Sequence, residues 1–147
     1  MSRFRYSFQK IVDLKTNEKT QAEWILSSAV NDLRVEEDQL SDLKHHKSEV
    51  QETLVSAAAN RTTVSELMLY QKYLDHIDHQ ILNKNAAVRA AQINVEDKQS
   101  NLTAKMREEK VWSKAREKAK LHFTAALLKK DQEALDEMSV SRHKQPS

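Results

Sequence analysis

From Met1 to Gln145 this chain offers no residue that readily breaks a helix: glycine is absent, and the single proline is Pro146. Tight hairpin turns depend on residues that accept positive φ, chiefly glycine, and a fold of many strands would need several of them. Helix is the reading that remains. Of the 147 residues, 39% are hydrophobic and 31% charged, too few apolar side chains for a spherical core, so an elongated all-α structure is expected.

The apolar residues fall into heptads. From Leu67 the steps alternate three and four through Tyr70, Leu74, Ile77, Ile81, Lys84, Val88 and Ala91 and on to Trp112, Phe123 and Ala126. A period of 3.5 implies a left-handed supercoil around a partner helix. The first half repeats the pattern, with Leu26, Leu33, Leu40, Lys47 and Leu54 in one column and Ala29, Glu36, Leu43, Val50 and Ala57 in the other. Phe4, Phe8, Ile11, Ala22 and Ile25 continue it toward the N-terminus, joined by a stutter at Ala29.

Between the halves lies AAANRTTVSEL. Asn60 is suited to the left-handed conformation that ends a helix, and Thr63 with Glu66 has the spacing of a capping box. So short a connection makes two long helices antiparallel neighbours. The expected organisation is one coiled-coil domain over 1–147: helix 1 about 7–58, a turn about 59–63, helix 2 about 64–138 and a tail 139–147. A turn centred near residue 62 sets Leu54 against Tyr70, Val50 against Leu74 and Leu43 against Ile81. At 1.5 Å per residue the helices span ~80 Å and ~110 Å, which leaves the C-terminal end of helix 2 overhanging. Glu36, Lys47, Lys84, Lys98, Lys105 and Glu109 interrupt the seam as polar layers that fix register.

Charge is uneven although the net is only +2. Residues 98–120 hold eight Lys and Arg against three Glu, and residues 1–19 hold five basic against two acidic side chains. Residues 35–52 are the reverse, with six acidic residues against two Lys. This is either a solvated helix surface or a basic end that docks on an acidic partner.

Catalytic chemistry finds no support. Without cysteine there is no thiol nucleophile, disulfide or Cys-ligated zinc, and without glycine there is no phosphate-binding loop. His45 and His79 fall at f and His76 at c, turned away from the partner helix, which argues against a metal site. No cofactor is expected. Glu108, Glu109 and Glu117 interrupt the basic run, and Trp112 takes a d position, so nucleic acid is not the expected partner. The start MSRFRYSFQK has no apolar h-region, and no run approaches the roughly 18 apolar residues of a membrane span, so a cytoplasmic protein is expected. Tyr70, Tyr73, Leu74 and Ile77 form a dense apolar patch after the turn. Tyr73, at g, either covers the core or presents an aromatic edge to a partner.

Three segments carry a family likeness. The opening FRYSFQKIVDLKTNEKTQAE, the post-turn SELMLYQKYLDHIDHQI and the C-terminal KKDQEALDEMSVSR, in this order and spacing, resemble the flagellar export protein FliJ family over nearly the whole chain. The resemblance implies a non-enzymatic, stalk-like coiled coil of the flagellar type III export apparatus, similar to the central stalk of rotary ATPases. It implies contacts with the export ATPase (FliI) and the export gate protein (FlhA), with the ATPase regulator (FliH) and export chaperones as further partners. It implies a cytoplasmic location, peripheral to the inner face of the membrane at the flagellar base. By the family pattern the gate-facing residues are Tyr73 and Ile77, with Gln80 departing from the small or apolar residues usual at that position. By analogy, together with the charge asymmetry, the ATPase contact falls on the basic end at Lys110, Lys114 and Lys118. The equivalent stalk of a virulence type III secretion system, or a self-associating coiled-coil scaffold, are the alternatives.

Overall fold

The structure, a computed structural model, describes residues 3–144. It consists of two long helices, α1 (Gln9–Ala59) and α2 (Val64–Lys144), and among the described residues there is no strand. With 51 and 81 residues, both helices far exceed the average globular helix. Such length is held by pairing along a heptad seam rather than by intrinsic propensity alone. The tail expected from residue 139 is helical as far as Lys144, because neither glycine nor proline interrupts it. Residues 145–147 lie outside the described residues.

The reversal is built differently from expectation in one respect. Asn60 keeps its amide in the helix, donating to the Ser56 and Ala57 carbonyls at 3.2 Å. The left-handed conformation falls instead on Arg61, with φ 58°. A side chain with a Cβ pays for that conformation, on the order of 1 kcal/mol, and the caps on either side hold it there. On the α2 side, Thr63 Oγ1 accepts the Glu66 amide at 3.2 Å, one half of the expected capping box. The other half is replaced, since the Glu66 carboxylate accepts the Thr62 hydroxyl.

Contacts along the two helices group into two units. One is Ala22–Leu102; the other combines the stretch up to Gln21 with that from Thr103 onward. In the first, α1 and α2 pack antiparallel around Val50, Leu74 and Ile77, with Leu54, Tyr70 and Ile81 against them. This is the layer of Val50 and Leu74 that the heptad columns require. Ala22 and Ala29 are the other buried apolar residues of this unit. The polar seam positions are bridged across the pair. Lys84 reaches Glu36 at 2.9 Å and Gln39 at 2.6 Å, and Lys47 reaches Asp78 at 2.6 Å. Each bridge satisfies a charge that would otherwise weaken the seam, and each works only in this register.

The second unit is held by charge and aromatic rings. Lys15 pairs with Glu108 at 3.2 Å, Lys19 with Glu109 at 3.0 Å, and Lys105 with Glu18 at 3.2 Å. Glu108 and Glu109 are half-buried and paired across the helices. The hydrogen bond that Lys15 donates to Glu108 holds the Glu108 carboxyl below its ordinary 4.5 and the Lys15 ammonium above its ordinary 10.5. A depressed carboxyl stabilises pairing above its ordinary value and loses that contribution as pH falls through the lowered one. A raised lysine stabilises pairing below its ordinary value and loses it as pH rises through the raised one. Pairing here is therefore expected to be flat between about pH 4.5 and 10.5 and to weaken on both sides. Trp112 fluorescence in a Trp24→Phe background measures it, and Glu108→Gln should remove the acid limb. An acid limb unchanged in Glu108→Gln would assign that transition to other carboxylates.

Candidate functional site

Among the described residues no group of three His, Asp or Glu side chains is placed to hold a metal ion. What the molecule offers is surface, and two patches stand out.

The first follows the turn. Tyr73 is 46% exposed, and its hydroxyl meets His46 Nε2 at 2.7 Å while the His46 ring stands edge-on to it at 5.6 Å. The imidazole thus holds the phenol in one orientation against α1 and leaves the far ring face open. With Glu66, Leu69 and Tyr70, Tyr73 lines a shallow groove. Leu69, Met68 and Val64 are exposed on the same stretch of α2, a density of outward apolar side chains that the seam does not require. Ile77, paired with Tyr73 in the sequence reading, is placed elsewhere. At 1% exposure it is the most completely buried large side chain described. It sits on the seam with Val50 and Leu74, so it offers no surface and instead supports the turn of helix that carries Tyr73. Gln80, one turn further on, is exposed.

The second patch lies on α2 in the charge-stapled unit. Lys110, Lys114 and Lys118, four residues apart, stand on one exposed helical face. None of the three makes an ion pair with another described residue, whereas Lys15, Lys19 and Lys105 are bound across the helices. Lys114 and Lys118 border a shallow groove whose apolar lining is Val111, Ala115 and Leu121. The positive charge of this face is open, and apolar surface lies directly beside it.

Beneath it sits an aromatic cluster that heptad reasoning did not assemble. The non-helical N-terminal stretch lays Phe4 against Phe123 at 5.6 Å and Phe8 against Trp112 at 5.9 Å, with Tyr6 between the two phenylalanines. The Arg116 guanidinium stands 5.6 Å from the Phe4 ring centre and donates to Gln9 Oε1 at 2.7 Å. The alternation of rings in FRYSF, apolar at every second residue, was the available signal: an extended strand of that pattern presents all three rings to one side.

Among the described residues no helix is long and apolar enough to cross a membrane. In comparison with known proteins, a family model described as "Flagellar FliJ protein" matches residues 4–147. The flagellar FliJ protein of Bacillus subtilis (strain 168) is 24% identical over 139 residues, covering 95% of both chains. Among solved structures, a Chlamydia trachomatis protein described as a YscO homologue superposes with a TM-score of 0.57 at 18% identity, over 99% of this chain and all of that one. At that identity the likeness speaks for the fold, an antiparallel helical hairpin. The family is a non-enzymatic component of the type III export apparatus. With the match running from the aromatic N-terminal stretch through both helices, the chain belongs to the flagellar FliJ family.

Proposed function

We propose that this chain acts as the stalk-like hairpin of a flagellar type III export apparatus, docking on the export ATPase through Lys110, Lys114 and Lys118 and on the export gate through the Tyr73 surface. The observation that carries the reading is the open lysine face. In a unit where Lys15, Lys19 and Lys105 are used to staple the helices, three regularly spaced lysines have no partner among the described residues. Charges left open on one face speed association with an acidic surface. An asymmetric hairpin touching the subunits of a ring unequally can bias their states through differential contact, with no pocket of its own. In the gate contact Tyr73 supplies the exposed ring and Ile77 the support beneath it. The regulator FliH and the export chaperones are further partners in this reading, which places the chain in the cytoplasm at the inner face of the membrane.

Binding to the purified flagellar export ATPase and to the gate's cytoplasmic domain, across a salt series, tests both contacts. Lys110→Glu/Lys114→Glu/Lys118→Glu should weaken ATPase binding by about tenfold or more and flatten its salt dependence. Asp38→Lys/Asp42→Lys, on the acidic stretch, should leave it unchanged. Tyr73→Ala should weaken gate binding alone, by roughly tenfold for an aromatic anchor. ATPase binding lost equally from both charge variants, or only from the aspartate pair, would overturn the assignment of the contact to the lysine face.

A further inference from the structure

The outward face of α2 carries a second heptad seam. Val111, Lys114, Lys118, Leu121, Ala125, Leu128, Gln132 and Leu135 follow steps of three and four without a break. All are exposed; the large apolar members, Val111, Leu121, Leu128 and Leu135, are 60–66% accessible. These are c and f positions; as far as Phe123 they lie opposite a and d residues packed in the helix pair, and from Leu128 to Arg142 every residue of α2 is exposed. Earlier in the helix the f column is held by Lys72, His79, Ser100 and Arg107, as a solvated face requires, with Ala86 and Ile93 the exceptions. From Leu121 it becomes leucine three times in succession. Leucines repeating every seven residues on an open face are the signature of a knobs-into-holes contact, whose partner is a helix.

We infer that the seam from Val111 to Leu135 receives an acidic amphipathic helix of another protein. The charges decide against a second copy of this chain. Parallel in-register pairing would set Lys114 on Lys114 and Lys118 on Lys118, like charges inside a seam. Antiparallel pairing that matches Ala125 with Leu128 would press the Lys118 ammonium against Leu135. A helix with leucines at heptad spacing and glutamates opposite Lys114 and Lys118 satisfies every position; the flanks are mixed, Lys110 and Lys129 alternating with Glu117, Asp131 and Asp136, so the preference for an acidic partner rests on Lys114 and Lys118 within the seam. The seam spans ~36 Å, about three and a half heptads, enough for a specific two-helix contact. This inference rests on the reading of the lysine face as a docking surface through Lys114 and Lys118, and extends it along α2 beyond the basic segment.

The test uses the full chain and a labelled synthetic helix of about four heptads, with leucine and glutamate alternating along its seam, beside a sister peptide with lysine for glutamate. Fluorescence anisotropy at low salt should show the acidic peptide binding at least about tenfold more tightly than its sister. Leu121→Asp/Leu128→Asp should weaken the acidic peptide by at least about tenfold, and Leu121→Gln/Leu128→Gln should do so without added charge. Helicity should stay unchanged in both, because the replaced side chains touch nothing in α1. Equal binding of the two peptides, no binding of the acidic one, or binding indifferent to both leucine variants would overturn the inference. So would sedimentation showing a dimer that the leucine variants dissolve, since the occupant would then be a second copy. Because no ATPase is present, loss of ATPase binding in the lysine variant with intact peptide binding to the wild-type chain supports the seam, and failure of the peptide leaves the ATPase contact standing on its own measurement.

Discussion

Ile77→Asp is expected to abolish the cooperative pairing of the unit Ala22–Leu102. Only Val50, Leu74 and Ile77 form its buried cluster, and Ile77 is the deepest of them at 1% exposure. Losing such a side chain costs ~2–5 kcal/mol in transfer and cavity terms, and a buried unpaired carboxylate adds more. A two-helix seam this thin has little in reserve, for the stability of small folds is itself only about 5–15 kcal/mol. Hydrogen exchange of residues 22–102 should collapse toward unprotected rates, while Leu82→Asp, at 65% exposure on the same helix, should alter stability by less than about 0.5 kcal/mol. The milder Ile77→Val should cost ~1 kcal/mol and leave partner binding intact, which separates the supporting role of Ile77 from the contact role of Tyr73. Retained protection in Ile77→Asp would mean that the cluster around Val50 is not what holds this unit.

The helical pairing was legible because the chain has so few alternatives. With no glycine and an unbroken three-four pattern, the seam residues could be placed on one face of each helix, and Val50 with Leu74 meets in the structure as those columns demand. The polar seam positions were also legible as register-fixing layers. Their partners were legible only in part: Glu36 and Glu18 fall on the heptad columns, whereas Asp78 and Gln39 lie off the seam and are reached only by long side chains folding across it. A heptad assignment says where a Cβ points, not how far an ammonium can travel. The same limit explains Ile77. Its column predicted burial, whereas the family pattern placed it on a binding face, and the packing around Val50 decides for burial. The turn residue moved from Asn60 to Arg61 because hydrogen bonds to Ser56 and Ala57 carry the helix one residue further than side-chain preference suggests. The outward leucines of α2 were visible as letters but not as a surface, since a second seam matters only once the first is known to be occupied.

The aromatic stretch at the N-terminus yields the remaining large effect. Trp112 faces Phe8 with ring centres 5.9 Å apart, while Phe8 remains 50% exposed, so this contact is made at the edge of the seam rather than inside a core. Full burial of a Trp would put its truncation at ~3–5 kcal/mol; a half-buried ring sets the expectation for Trp112→Ala nearer ~2 kcal/mol. The loss should fall on the segment that has no helix of its own. Residues 3–8 lie outside α1, and their anchors on α2 are the rings of Trp112 and Phe123 with the guanidinium of Arg116. Trypsin reports directly on them, because Arg3, Arg5 and Lys10 are cleavage sites in and beside the stretch. Cleavage after Arg5 should accelerate several-fold in Trp112→Ala and return close to the parent rate in Trp112→Phe, which keeps a ring at the d position. A double-mutant cycle of Phe8→Ala with Trp112→Ala should show a coupling of ~0.5–1.5 kcal/mol, the range for a tilted aromatic pair. Additive effects, with cleavage after Arg5 unchanged, would mean that the N-terminal rings rest on α2 without being held by it, and that the Lys15 and Lys19 bridges alone close this end.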